Sequence, residues 1–124
     1  MKKCLILLIL TIIYAAITPT SYAMDYDKAM TQKKPVILYV YMTGCSACKA
    51  FDSYYKKAEK EYSQKYNFVK ENVYFSKIAD TLKINSVPAV FILDTQKKTA
   101  ARIKWECLSD RACFEQTLKE YEQN

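Results

Sequence analysis

The chain has 124 residues with five cysteines, eleven tyrosines, one glycine and no histidine, and 19 Lys and Arg against 13 Asp and Glu give a formal charge of +6. That length holds one domain. The lysines are interspersed with acids, as in Lys56, Lys57, Glu59, Lys60 and Glu61, which reads as a solvated helix face and excludes a nucleic-acid patch.

Residues 1–23 read as a secretory signal. Lys2-Lys3 is a positive start, Cys4 to Ile17 is apolar, and Ser21-Tyr22-Ala23 is a small-x-small cleavage site. The apolar run is short of the roughly 20 residues a membrane span needs. Cys4 precedes that run, the wrong side for a lipoprotein cysteine, and leaves with the signal. The expected mature chain is residues 24–124, exported to the periplasm or secreted, with no membrane insertion after cleavage. Disulfides persist in such compartments, and four cysteines remain there: Cys45, Cys48, Cys107 and Cys113.

The spacing predicts a weak helix over Asp25 to Gln32, broken by Lys33-Lys34-Pro35. Val36 to Met42 is continuously apolar and aromatic, as a strand buried on both faces should be. Apolar residues then recur at three- and four-residue steps (Ala47, Ala50, Phe51, Tyr54, Tyr55, Ala58, Tyr62, Tyr66), predicting one amphipathic helix from Ser46 to Tyr66. Asn67 to Val73 is a second strand. A helix over Phe75 to Lys83 places Phe75, Ile78, Ala79 and Leu82 on one side. Ala89 to Leu93 is the next strand, and the turn at residues 94–98 returns Thr99 to Trp105 as its antiparallel partner. Ser109 or Asp110 caps a last helix carrying Cys113, Phe114, Thr117, Leu118 and Tyr121 on one face. The order β-α-β-α-β-β-α is that of a layered α/β domain.

Cys45-Ser46-Ala47-Cys48 sits where the first strand gives way to the long helix. Unpaired N–H groups and the positive end of the helix dipole stabilise a thiolate there, which makes the more exposed Cys45 nucleophilic near neutral pH. Cys48, one turn on, can close a disulfide. Zinc sites and structural disulfides use the same spacing, although without histidine a zinc site would need all four cysteines, whose Cys-x-five-Cys half fits poorly. Cys107 and Cys113 are most simply a staple from a strand end to the next helix start; a second redox relay is the other reading.

The strand, the Cys-Ser-Ala-Cys-Lys turn into a long helix, Phe68-Val69-Lys70-Glu71-Asn72-Val73, and Ser86-Val87-Pro88-Ala89 before another strand together resemble the thioredoxin superfamily. The resemblance covers Pro35 to Leu93 well and the rest loosely. It implies an α/β three-layer sandwich with a central mixed four-stranded sheet flanked by helices. It further implies that Cys45 and Cys48 are the catalytic pair, that Ser46, Ala47 and Lys70 support them, and that Pro88 is a cis-proline beside them. The backbone of Val87 would then pair with an incoming peptide. Two departures stand out. The family's buried carboxylate in the first core strand falls at Tyr39, so Glu71 or a water would have to take the proton of Cys48, and the usual tryptophan before the motif is replaced by Thr43-Gly44. The Ser-Ala dipeptide lacks the histidine that favours oxidants, and Lys49 resembles the reducing branch.

The expected protein is therefore an exported monomeric thiol-disulfide oxidoreductase without cofactor or metal. It reduces disulfides of partner proteins and is recharged by an upstream thiol electron donor. The reading from another class is a non-catalytic thioredoxin-fold binding module with a structural Cys45–Cys48 bridge.

Overall fold

The computed structural model describes residues 25–122, so the expected signal peptide, its cleavage site and Cys4 lie outside the described residues. In chain order the elements are α1 (Tyr26–Met30), β1 (Val36–Tyr41), α2 (Ser46–Tyr62), β2 (Asn67–Asn72), α3 (Lys77–Thr81), β3 (Ala89–Asp94), β4 (Thr99–Arg102), α4 (Trp105–Leu108) and α5 (Arg111–Glu122).

The four strands form one mixed sheet in the order β2-β1-β3-β4. The parallel β1–β2 pair is joined by the crossover helix α2, while β3 runs antiparallel to both β1 and β4. Val36, Ile37, Leu38, Tyr39 and Val40 are all fully buried, which requires cover on both faces of the central strand. Alternation along the strands divides the core accordingly. Ile37, Tyr39, Phe68, Val90 and Ile92 meet Phe51, Tyr55 and Ala58 of α2 and Phe114 and Leu118 of α5. Val36, Leu38, Val40, Val69 and Phe91 meet Ala29 of α1 and Ala79 of α3 on the other side. The result is a three-layer sandwich. Burial of a side chain such as Phe114 or Leu118 stabilises it by roughly 1.5 to 3 kcal/mol.

Several element ends depart from the periodicity. Helix α2 stops at Tyr62 although the apolar spacing runs on to Tyr66. There the chain turns to enter β2, with Asn67 N–H donating to the Pro35 carbonyl at 2.9 Å, and Tyr66 is held by its hydroxyl donating to the Leu118 carbonyl at 2.6 Å. Helix α3 begins only at Lys77, because the Ser76 hydroxyl caps it by accepting from Ala79 N–H; Phe75, expected on its apolar side, is 87% exposed. Strand β4 ends at Arg102 rather than Trp105. Ile103 turns into the core with its N–H on the Val90 carbonyl at 2.8 Å, and Trp105 opens the unexpected one-turn helix α4. Cys107 consequently lies on that helix and not at a strand end. Of the two candidate caps for α5, Asp110 is the one used: its Oδ1 accepts from the N–H groups of Ala112 at 3.0 Å and Cys113 at 3.3 Å.

Candidate active site

The connection from β1 to α2 is tight. Gly44 sits at φ +82°, a left-handed conformation that the lack of a Cβ makes inexpensive. Cys45 follows as the N-cap of α2, and its Sγ accepts from Cys48 N–H at 3.1 Å. A sulfur in that place receives both a backbone donor and the positive end of a 17-residue helix, each of which favours thiolate over thiol. Cys48 is 3% exposed, Cys45 is half-buried, and the pair is closed as a disulfide with a Cα–Cα distance of 5.2 Å. Ser46 and Ala47 lie exposed between them.

The Val87–Pro88 loop packs against this turn. The Val87 carbonyl oxygen is 3.9 Å from Cys45 Sγ, and the Val87–Pro88 peptide bond is cis. Pro88 is buried and Val87 half-buried beside the more accessible sulfur.

Behind Cys48 the arrangement differs from what the chain's pattern suggests. The Tyr39 hydroxyl donates to the Cys48 carbonyl at 2.9 Å. Burial first, then the neighbouring Asp52 carboxylate, push its pKa far above the usual 10.0, so it remains a neutral donor. Lys70 faces Tyr39 across the β1–β2 register. Its Nζ is 2.9 Å from Asp52 Oδ1 and lies over the rings of Tyr41 and Tyr39, at 4.6 and 5.3 Å from their centroids. Asp52, one helical turn beyond Cys48, therefore brings a carboxylate to the open groove of about 550 Å³ that Cys45, Cys48 and Lys70 also line. Glu71, the carboxylate expected to serve, sits one residue along β2 and hence on the opposite face of the sheet, where it accepts from the Ser76 hydroxyl. Asp52 was missed because its partner is a strand away. The available signal was its i+4 offset from Cys48.

Cys107 and Cys113 form the second disulfide, with a Cα–Cα distance of 4.8 Å. Cys107 is buried, and the bridge ties α4 to the first turn of α5. Among the described residues no group of three or more His, Cys, Asp or Glu side chains is placed to hold a metal ion, and no helix is long and apolar enough to cross a membrane.

A family model described as thioredoxin matches residues 17–120. The chain belongs to the thioredoxin family. Thioredoxin-family proteins are thiol-disulfide oxidoreductases that act on protein thiols and disulfides, and this member carries their Cys-x-x-Cys pair at disulfide distance. Solved structures of similar fold include the J-Trx1 fragment of ERdj5 (16% identity, TM-score 0.68), with 80% of this chain covered and 48% of that one. The thioredoxin Deadhead of Drosophila melanogaster shares 23% identity at a TM-score of 0.63 over 83% of this chain and 98% of its own. The first thioredoxin domain of mouse protein disulfide-isomerase A4 shares 19% at 0.66 over 78% and 69%. The chain thus spans about half the length of the ERdj5 fragment. No curated protein sequence matches it. Against the thioredoxin pattern, the carboxylate–lysine pair is retained in kind but the acid has moved from strand β1 to helix α2.

Proposed function

We propose that this protein is an exported thiol-disulfide oxidoreductase that reduces disulfides in partner proteins, with Cys45 as nucleophile and Cys48 as resolving thiol. The single observation that carries the reading is the asymmetry of the pair: Cys45 Sγ is at the helix start and beside the Val87 carbonyl, while Cys48 is buried one turn behind it. In the reduced protein the Cys45 thiolate attacks one sulfur of a substrate disulfide. A Cys45–substrate bond forms, the substrate S–S bond breaks, and the second substrate sulfur leaves as thiolate. Cys48 then loses its proton to Asp52, through the groove both line, and attacks Cys45. The Cys45–Cys48 bond closes, the remaining substrate thiolate departs and takes the proton, and the substrate is reduced by two electrons. An upstream thiol donor resets the pair.

Export rests on the pattern of residues 1–23, and the disulfide joining Cys107 and Cys113 suits the oxidising compartment it implies. Val87 would hold the incoming peptide by its backbone, Pro88 shapes that loop, and the second disulfide is assigned a structural role.

Trapping tests the reading. Cys48→Ser protein expressed with its signal should retain partner proteins on Cys45 as mixed disulfides, identified by mass spectrometry after non-reducing separation. Intact mass of the exported form should correspond to a start at or near Met24. A Cys45 thiol that titrates like an unperturbed cysteine and captures nothing would leave the fold as a binding module with a structural bridge.

A further inference from the structure

Separate from the groove that Cys45 and Asp52 line, a surface pocket of about 560 Å³ opens against the Val87 loop, lined by Ser86, Val87, Arg102, Ile103, Lys104 and Trp105. Its composition is one-sided. Trp105, the only tryptophan of the chain, is 54% exposed there, although so large an apolar ring is ordinarily more covered. Arg102 is held in place by a 3.1 Å bond from its guanidinium to the Ser86 hydroxyl and by stacking 5.7 Å over the Phe91 ring. Neither Arg102 nor Lys104 makes an ion pair among the described residues, and no carboxylate lines the pocket. The neighbouring Glu106 is exposed but is not part of the lining. The groove that the cysteine pair itself lines is different, since its Lys70 is already neutralised by Asp52. The early end of β4 creates this pocket, because the turn at Ile103 brings Trp105 next to the Val87 loop.

We propose that this pocket is the subsite for an acidic, apolar stretch of the partner polypeptide next to its reacting cysteine. An aliphatic or aromatic side chain rests on Trp105, and a carboxylate is met by Arg102 and Lys104. This inference rests on the oxidoreductase reading and narrows its substrate class. An aromatic ring beside two unpaired cations fits an apolar and an anionic group together. A peptide bound at the Val87 backbone would pass its neighbouring side chains over this pocket, 3.9 Å being all that separates the Val87 carbonyl from the attacking sulfur.

The experiment uses reduced Cys48→Ser protein and three symmetric peptide disulfides, whose cysteine is flanked on both sides by Leu and Glu, by Leu and Lys, or by Ser alone. The rate of mixed-disulfide formation, in which the Cys45 thiolate displaces one peptide thiolate, is read by mass and by the emission of Trp105. The Leu-Glu peptide should react about tenfold faster than the Leu-Lys peptide at low salt, with the ratio shrinking as salt screens the charges, and its capture should alter Trp105 emission. In R102Q/K104Q protein the Glu-to-Lys ratio should fall to about one; because it is a ratio within one protein, a general loss of reactivity divides out. A ratio near one in the parent protein, or a preference that survives in R102Q/K104Q and so reflects overall charge, would overturn the proposal while leaving the oxidoreductase reading intact. Failure to react with any peptide, or with a small aliphatic disulfide, would overturn both.

Discussion

The two disulfides use a helix start in opposite ways. At α2 the N-cap is Cys45 itself, and no acid stands in the first turn, so the helix dipole and the Cys48 N–H act on sulfur. At α5 the cap is Asp110, whose carboxylate takes the N–H groups of Ala112 and Cys113. The helix start there stabilises an oxygen anion, and that anion repels a thiolate on Cys113. Cys45 also faces a peptide carbonyl and lines the open groove it shares with Asp52 and Lys70, whereas Cys107 is buried, receives the Thr117 hydroxyl at 3.9 Å, and borders with Cys113 a separate pocket. The contrast teaches that a helix start favours a thiolate where a sulfur occupies the cap and disfavours one where a carboxylate does.

The strongest way to break this contrast is Cys45→Ser, which should abolish disulfide reduction, on the order of a thousandfold or more, in a protein that still folds. The same assay on Cys107→Ser/Cys113→Ser should retain most turnover. Collapse of turnover in that double variant with the fold intact would make the second pair a relay.

Potentials sharpen it next. With no histidine between the cysteines, the thiolate gains only the helix terminus, so the Cys45–Cys48 couple should lie near roughly −270 mV rather than roughly −120 mV. Equilibration in glutathione buffers with alkylation and mass readout measures it. A value above roughly −160 mV would make the protein a disulfide donor.

Asp52→Asn should slow the resolving step by about a hundredfold, within the range expected of a positioned base. Below the Cys48 pKa its rate should then climb about tenfold per pH unit, because hydroxide becomes the only acceptor. Single-turnover release of a captured peptide from Cys45 reads this directly. An unchanged rate and profile would reduce Asp52 to a partner for Lys70, whose half-exposed pair adds at most about 1 kcal/mol to stability.

Loss of the second disulfide should cost roughly 2 kcal/mol, as expected for so short a loop, measured by denaturant unfolding of the double serine variant. The smallest effect concerns tyrosines beneath the active pair. Tyr55 hydroxyl is buried without a hydrogen-bond partner, so Tyr55→Phe should stabilise by about 1 kcal/mol. Burial raises the pKa of both Tyr39 and Tyr55 above 10.0. The unfolded chain therefore loses these protons first, and the stability they contribute, full below pH 10, should fall as the pH rises beyond it. Alkaline unfolding of Tyr55→Phe should accordingly begin at higher pH than that of the parent.

Much of the fold was legible because its signals are local. The unbroken apolar run Val36–Val40 demanded a strand covered on both faces, and the three- and four-residue spacing from Phe51 to Tyr62 demanded a helix packed along one side. The position of Cys45 and Cys48 at that helix start, and the choice of Ser109 or Asp110 as a cap, needed only a few neighbouring residues. What the sequence by itself determined, then, was the elements and the pair of sulfurs. Only the tertiary structure decided which charges attend them. Strand pairing sets Lys70 opposite Tyr39 and turns Glu71 to the other face, and this register depends on residues about thirty positions apart. It also decided that Ile103 is pulled into the core, ending β4 and exposing Trp105 beside Val87. Periodicity reports the repeat of a segment against an apolar surface; it carries no information on which side chain of another segment completes the site.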